Sequence, residues 1–333
     1  MNTGKSLTYS RLVSHNSYHS VLEEGRTLAI HEAELMTNVL VVFKKNFEQV
    51  HDESLRKITD ILHDISERFD VKFDLTAREK VRRADFIGRD LVIVLGGDGT
   101  LTSISHNIDA DTPVIGVNSH PIEQDPAGSF GFYMDSNVDT FAEDIVTALN
   151  GNSIINEVPR LQAIIDTTSG NRFTTDPAMN DLLIANTHQY APSKYHLRRG
   201  GKKCRQQSSG IVFSTWLGQG AWLNHILEKS TMQKMRKKVD TSEIGDHYFV
   251  VSREIPHQQR EDEEWSWFDW TNEDTVITSD MHRGYVVPDG WDEVHFNRGA
   301  SITVNLEAPK LCLLTFRKSI NEKLADLIAQ ELV

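Results

Sequence analysis

The sequence predicts an α/β N-terminal domain, built on a Rossmann-like parallel sheet, followed by a β-rich C-terminal domain. Two changes of pattern predict it. From residue 38 to 155, continuous apolar runs alternate with amphipathic helical stretches, the pattern of a parallel sheet covered on both faces. From 156 to 310, short strands of alternating polarity separated by turn residues take over. A third observation concerns the end of the chain. Residues 311–333 return to an apolar run followed by a helix, which suits a strand and helix that rejoin the first domain. Residues 1–37 stand apart as an N-terminal extension.

Each element has a local reason. "NVLVVF" (38–43) reads as a buried parallel strand. Leu55, Ile58, Ile61, Leu62, Ile65 and Phe69 share one face at helical spacing. "VKFDL" (71–75) reads as a strand, 77–84 as a charged helical stretch, and "DLVIVL" (90–95) and "TPVIGVN" (112–118) as strands. The helix in 136–151 is expected to start at Ser136 with Asp139 and to stop at Gly151. "LQAIID" and "RFTT" flank the turn 169–171, forming a hairpin. "SITVNLE" alternates Ile302, Val304 and Leu306 inward. "LCLLTF" is a strand, and Ser319 with Glu322 forms a capping box on the last helix.

The chain has 333 residues and a formal charge of −13. That acidity argues against general nucleic-acid binding. No apolar run is long enough for a membrane span. The two cysteines, Cys204 and Cys312, are far apart and lack metal-ligand spacing, so no disulfide framework or metal site is expected, and a reducing compartment fits. His31–Leu35, "HEAEL", lacks the second histidine of a zinc helix.

"LVIVLGGDGT" (91–100) carries the chemistry. The strand delivers the chain to the carboxyl edge of the sheet, where open α/β folds bind ligands. Gly96, Gly97 and Gly99 allow a sharp turn and let backbone N–H groups approach a phosphate. Thr100 begins or caps the next helix. Asp98 is then the one functional side chain in a bare loop. It fits a group that takes a proton or hydrogen bond from an attacking hydroxyl, or that acts on bound magnesium. The plainer reading is a tight turn with Asp98 as helix cap. The P-loop and dinucleotide fingerprints are both missing.

Together with other segments, this loop resembles the NAD kinase family, within the NAD kinase/diacylglycerol kinase-like fold. "GGDGT" looks like its signature loop. "VIGVNS" and "SFGFY" (129–133) resemble its G-V-N…L-G-F segment, and "NDLLIAN" (180–186) its Asn-acid motif. "SGIVFSTWLGQGAW" (209–222) resembles its D-G-L-I-V-S-T-x-T-G-S-T-A-Y block, and 286–309 its late Asp-Gly segment. The Trp222 ending and the long insertions are similar to the divergent, mitochondrial-type branch.

The resemblance implies two domains with a site in the cleft, and transfer of the ATP γ-phosphate to the 2′-hydroxyl of the adenosine ribose of NAD. ATP with magnesium and NAD are the implied small-molecule partners, and a dimer or tetramer the implied assembly. A cytoplasmic location is expected, with the mitochondrial matrix as the alternative. Asp98 would be catalytic. The backbone of Gly96, Gly97, Gly99 and Thr100 would lie along phosphates. Asn118 and Phe130 belong to a nucleotide-binding segment. Asn180 and Asp181 would grip the adenosine half of NAD, and Ser214, Thr215, Gly218 and Ala221 would line the rest of the groove.

Two departures bear on the acceptor. Leu217-Gly218-Gln219-Gly220 replaces T-G-S-T, and Ser209-Gly210 replaces the family's Asp-Gly. The alternatives are a kinase of the same superfamily acting on a sugar, nucleoside or lipid hydroxyl, and a non-catalytic NAD(P)-binding protein. The continuation "LTSISHN" departs from the lipid kinases. Lys194, Arg198, Arg199, Lys202, Lys203 and Arg205 crowd one segment around Gly200-Gly201. They read either as a mobile loop neutralising nucleotide phosphates, through Arg198 and Arg199, or as a solvated hairpin tip. Trp265 and Trp267, in the acidic stretch 261–274, are expected to share a strand face and to fold onto their own domain.

Overall fold

The computed structural model describes residues 36–45, 49–237, 239, 244–262 and 264–332. The N-terminal extension up to residue 35, with its "HEAEL" segment, lies outside the described residues. Two compact units emerge: one of residues up to Glu157 plus Leu311–Lys323, the other of Val158–Lys310 plus Leu324–Val333.

In the first unit the strands are β1 (Thr37–Phe43), β2 (Val71–Ala77), β3 (Leu91–Gly96), β4 (Val114–Asn118), the two-residue β5 (Ser136–Asn137), β6 (Ile154–Val158) and β19 (Leu311–Thr315). Their order is β2-β1-β3-β4-β19-β6, with β5 beside β4. β1 pairs in parallel with both β2 and β3, and β4 pairs in parallel with both β3 and β19. Every residue of β3 and β4 is buried, as the unbroken apolar runs require. Helix α1 (Gln49–Phe69) lays Ile58, Leu62 and Ile65 into a core that also holds Ile93, Ile115 and Leu314. Leu314, from the returning segment, makes the tail part of this core.

Two helical expectations change. Residues 78–80 form a turn, closed by the Lys80 and Val81 N–H groups on the Ala77 carbonyl, so only α2 (Arg83–Phe86) of the 77–84 stretch is helical. After α3 (Asp98–Ser105), helix α4 runs Phe141–Leu149 and not from Ser136. Ser136 is committed to β5, and Asn137 Oδ1 accepts the Asp139 and Thr140 N–H groups at 2.9 and 3.1 Å in an Asx turn. The capping box on the C-terminal helix is present: Ser319 N–H donates to Glu322 Oε2 at 2.8 Å, and Glu322 N–H to Ser319 Oγ at 3.3 Å.

The second unit is a β-sandwich. One six-stranded sheet contains β7 (Gln162–Asp166), β8 (Arg172–Thr174), β10 (Ser193–Arg199), β11 (Lys202–Ser208), β15 (Thr275–Ser279) and β18 (Ser301–Asn305). The other contains β9 (Asp181–Asn186), β12 (Ile211–Thr215), β13 (Tyr248–Ser252), β14 (Phe268–Thr271), β16 (Arg283–Pro288) and β17 (Val294–Asn297). Ile165, Leu197, Ile277 and Ile302 from the first meet Leu182, Ile184, Phe213 and Val250 from the second. Trp265 and Trp267 lie in a short helix, Glu264–Trp267, and not on a strand face. Trp265 packs against the core and Arg260 sits over the Trp267 ring, so the indoles fold onto their own unit.

Candidate active site

The carboxyl edge of the first sheet is built by β3 and β4. Gly96 and Gly97 are required by close packing: a Cβ on Gly96 would stand 2.3 Å from Thr100 Oγ1, and one on Gly97 2.5 Å from Ser129 Oγ. Gly99 meets nothing within 4 Å and is exposed. Gly97 caps α3 with extended backbone, and its carbonyl accepts the Thr100 N–H at 2.8 Å. The first N–H groups of α3 have no acceptor within the helix and project off this edge, where an anion suits them.

Asp98 is the first residue of α3 and is not the bare loop carboxylate the sequence suggests. Its Oδ2 accepts the Phe132 N–H at 2.9 Å and its Oδ1 the Tyr133 N–H at 2.8 Å. The Gly131 amide also favours the ionised carboxylate, and the lone pairs beyond those the amides use are left for an incoming hydroxyl. Burial raises the Asp98 pKa above the usual carboxylate value, opposed by the Tyr133 and Phe132 amides and by the Lys323 charge. Gly131, at φ 68°, makes the bend that aims those amides. Asn118 braces the bend from inside. Its Nδ2 donates to the Ser129 carbonyl at 3.0 Å and its Oδ1 accepts the His120 N–H at 3.1 Å. Phe130 is 48% exposed beside it.

Sequence reasoning missed the surrounding supports. Asp135 accepts the Phe316 and Arg317 N–H groups at 2.6 and 3.1 Å and lies 3.5 Å from Lys323 Nζ, tying the returning segment to the stretch just after the Phe132 and Tyr133 amides that hold Asp98. His51 Nδ1 pairs with Ser119 Oγ at 2.8 Å, and Ser54 donates to the Ser119 carbonyl at 2.8 Å, pinning α1 to the end of β4. No motif announces contacts between residues so distant in sequence.

In the second unit, Asn180 and Asp181 line a cavity of about 480 Å³ with Trp222, Tyr285, Asp289 and Glu293. Asp289 holds that turn. Its carboxylate accepts the N–H groups of Met179 at 2.7 Å, Asn180 at 2.8 Å and Asp181 at 3.0 Å. It reaches them from left-handed backbone, φ 46°, followed by Gly290 at φ 78°. The available signal is the Pro288-Asp289-Gly290 turn closing a strand, within the late Asp-Gly segment, although the sequence alone gives its aspartate no role. Burial pushes Asp181 up to about 7, helped by the Asp289 charge and opposed by the Trp222 amide. Burial lifts Asp289 to about 6, against its three amides and Arg160.

Ser214, Thr215 and Gly218, expected along the rest of the groove, are not among the residues lining this cavity; they support its Asn180 turn from behind. Ser214 and Thr215 are fully buried. Thr215 Oγ1 donates to the Met179 carbonyl at 2.6 Å and accepts the Gly218 N–H at 2.9 Å, and Ser214 donates to the Asn180 carbonyl at 3.2 Å. A Cβ on Gly218 would stand 2.2 Å from the Asn180 oxygen, so only glycine fits. Ala221 is half-buried next to Trp222. Leu217–Gly220 is a 3-10 turn whose Leu217 and Gln219 side chains are buried, Gln219 Oε1 accepting Arg236 Nε at 2.7 Å.

Of the two readings of the basic segment, the hairpin is the one present: it is the β10–β11 hairpin, turned by Gly200 and Gly201 at φ 55° and 76°. Arg199 is buried, bonded to the Trp265 carbonyl and to Asp269 Oδ2, the latter at 2.8 Å, with its guanidinium over the Trp265 ring. It is a structural cation, unavailable to phosphate. Arg198 is exposed on the strand. Both lie on the sheet that does not carry Asn180 and Asp181.

A parallel-sheet unit with an acid on its glycine turn, followed by a β-sandwich unit, defines a two-unit α/β class. Residues 21–152 match the family model described as the ATP-NAD kinase N-terminal domain. An NAD kinase from Thermoplasma volcanium is 22% identical over 247 residues, covering 74% of this chain and 81% of its own. A probable NADH kinase from rice is 29% identical over 150 residues, 40% of this chain, and the match spans only 44% of the rice protein. Among solved structures, yeast NADH kinase complexed with NADH superposes with TM-score 0.68 at 13% identity, covering 88% of each chain. An Archaeoglobus fulgidus NAD kinase in complex with ATP gives TM-score 0.63 at 15% identity, covering 88% of this chain and 98% of that one. Residues 21–152 are thus similar to the N-terminal domain of NAD kinases, and the fold as a whole resembles that of the solved NAD and NADH kinases.

Proposed function

We propose that this protein transfers the γ-phosphate of ATP to the 2′-hydroxyl of the adenosine ribose of NAD, giving NADP. The observation that carries this reading is the Asp98 carboxylate. It sits at the sheet's carboxyl edge on the first turn of α3, oriented by two amides at 2.8 and 2.9 Å. A carboxylate held this way accepts a hydroxyl proton, while helix N–H groups beside it stabilise phosphate charge. Magnesium enters as the magnesium–ATP substrate. The Asn180–Asp181 cavity is the place for part of the dinucleotide, and relatives named NAD kinase and NADH kinase support that choice. The Archaeoglobus structure with ATP supports the donor. We also infer the mitochondrial-type branch from the Trp222 variant and the insertions, a homo-oligomer from the family resemblance, and a cytoplasmic or mitochondrial-matrix location.

A second reading keeps the kinase chemistry and changes the acceptor to another hydroxyl. It is favoured by the buried Leu217–Gly220 turn, which presents no hydroxyl groups where the family carries them. Purified protein with ATP, magnesium and a panel of NAD, NADH, sugars, nucleosides and lipid alcohols, read by mass spectrometry, separates the readings. NADP as the product supports the first. Another phosphorylated acceptor supports the second, and tight NAD(P) binding without any product would make the chain a binding protein.

A further inference from the structure

We propose that Asp289 and Asp181 form an asymmetric acid pair in which Asp289 keeps the negative charge and Asp181 the proton, so that Asp181 meets its ligand as a hydrogen-bond donor. This rests on the reading that the cavity takes part of a nucleotide.

The asymmetry is in the geometry. Asp289 Oδ1 accepts the Asn180 and Asp181 N–H groups at 2.8 and 3.0 Å, and Oδ2 the Met179 N–H at 2.7 Å. Its oxygens are spent on three donors, which stabilise the ionised form. Arg160, fully enclosed in the same unit, adds a positive charge to that side. Asp181 has less support: among the described residues the amide of Trp222 is the donor that favours its ionised form, and its side chain is buried.

The two residues are locked together by their backbones as well, since Asp289 N–H donates to the Asp181 carbonyl at 2.8 Å. Two carboxyls so placed cannot both ionise cheaply. Glu293, from the far side of the cavity, adds another negative charge, and the other polar lining groups, Asn180, Thr187, Gln189 and Tyr285, are neutral. The proton therefore rests on the member with fewer donors. Burial and the Asp289 charge hold Asp181 near neutrality, consistent with this assignment.

The chemical consequence is a ligand preference. A protonated Asp181 offers an O–H, so the matching ligand atom is a lone-pair acceptor such as a purine ring nitrogen or a ribose oxygen. A cationic ligand group would instead call for the ionised form. Binding should then weaken as pH rises, the reverse of a site that uses Asp181 as an acceptor.

The test has two arms. Carbon-13 NMR of labelled aspartate carboxyls in the free protein should show one carboxyl titrating near neutrality. That signal should be absent in Asp181→Asn and should move down by at least about one unit in Asp289→Asn. In the second arm, NAD affinity measured by calorimetry should fall by up to roughly 30-fold from pH 6 to pH 8.5, as the protonated fraction falls. Asp181→Asn, a permanent donor, should bind with little pH dependence. Absence of any carboxyl titrating above about pH 5.5, or tighter NAD binding at the higher pH, overturns the pair. An assignment in which Asp289 holds its proton to higher pH than Asp181 also overturns it. The first arm needs only wild type and Asp181→Asn, so a misfolded Asp289→Asn protein leaves it decisive. If NAD fails to bind at every pH, the dinucleotide reading falls, while the NMR arm still decides where the proton lies.

Discussion

Replacing Asp98 by Asn separates its chemical role from its structural one. The substitution keeps one oxygen and exchanges the other for an NH2 group. In the native protein both oxygens accept backbone N–H groups, Phe132 at 2.9 Å and Tyr133 at 2.8 Å. The new NH2 must face one of those donors, leaving it without an acceptor, at a cost of about 1–3 kcal/mol in stability. Part of this is returned because a desolvated charge is removed. Loss of a positioned proton acceptor lowers kcat by roughly 10²–10⁴, which is about 2.7–5.4 kcal/mol of transition-state stabilisation. The assay is NADP formation from NAD and magnesium–ATP, with thermal denaturation of the same preparation. The expected result is a lower melting temperature by a few degrees and near-complete loss of turnover with KM little changed. If kcat stays within about tenfold of wild type while the protein is destabilised, Asp98 is only an anchor for residues 131–133, and the catalytic argument is refuted.

Lys323→Gln removes the positive charge that opposes the burial of Asp98, so the acid limb of the kcat–pH profile should move upward, with Lys323→Arg restoring it. Gly218→Ala places a Cβ 2.2 Å from the Asn180 oxygen, and should raise the KM for the dinucleotide more than that for ATP while costing about 1–3 kcal/mol in unfolding experiments. Arg199→Ala should destabilise the second unit by about 1–3 kcal/mol by denaturant titration, because the Trp265 carbonyl loses its donor, whereas Arg198→Ala should stay within about 0.5 kcal/mol. Asp181 is raised from 3.8 to about 7, so the native state binds a proton that the unfolded chain releases. Stability contributed by that proton is present below about pH 4 and is lost as pH rises toward 7, by at most about 4 kcal/mol. Urea denaturation at pH 5 and pH 8 should show a decline that Asp181→Asn reduces.

The legible parts of the molecule were those governed by local pattern. The unbroken apolar runs of β3 and β4, the stripe on α1 and the Ser319–Glu322 box each follow from residues close in sequence. Helix α4 was misjudged at its start because Ser136 can cap a helix or join a strand, and only its pairing with β4 decides between them. Arg199 was misread for a similar reason. Charge at a glycine turn looks solvated until Asp269, 70 residues later, is seen to receive it. The glycine turn makes Asp98 legible as a candidate acid, but its two amides come from Phe132 and Tyr133, 34 and 35 residues away, and nothing near the glycine turn marks them. The motif brings out Ser214 and Thr215 as groove candidates, yet which way a strand's hydroxyl points depends on the sheet around it.

The position of β19 between β4 and β6 has a consequence for biosynthesis. During translation β6 emerges well before β19, since residues 159–310 are made between them. The first unit therefore waits, with an open slot in its sheet, until the ribosome has released almost the whole chain. A polypeptide cut before residue 311 would expose two unpaired strand edges, a ready template for aggregation. Expressing the glycine-turn half on its own would call for supplying the 311–323 segment, in cis through a linker or in trans as a peptide.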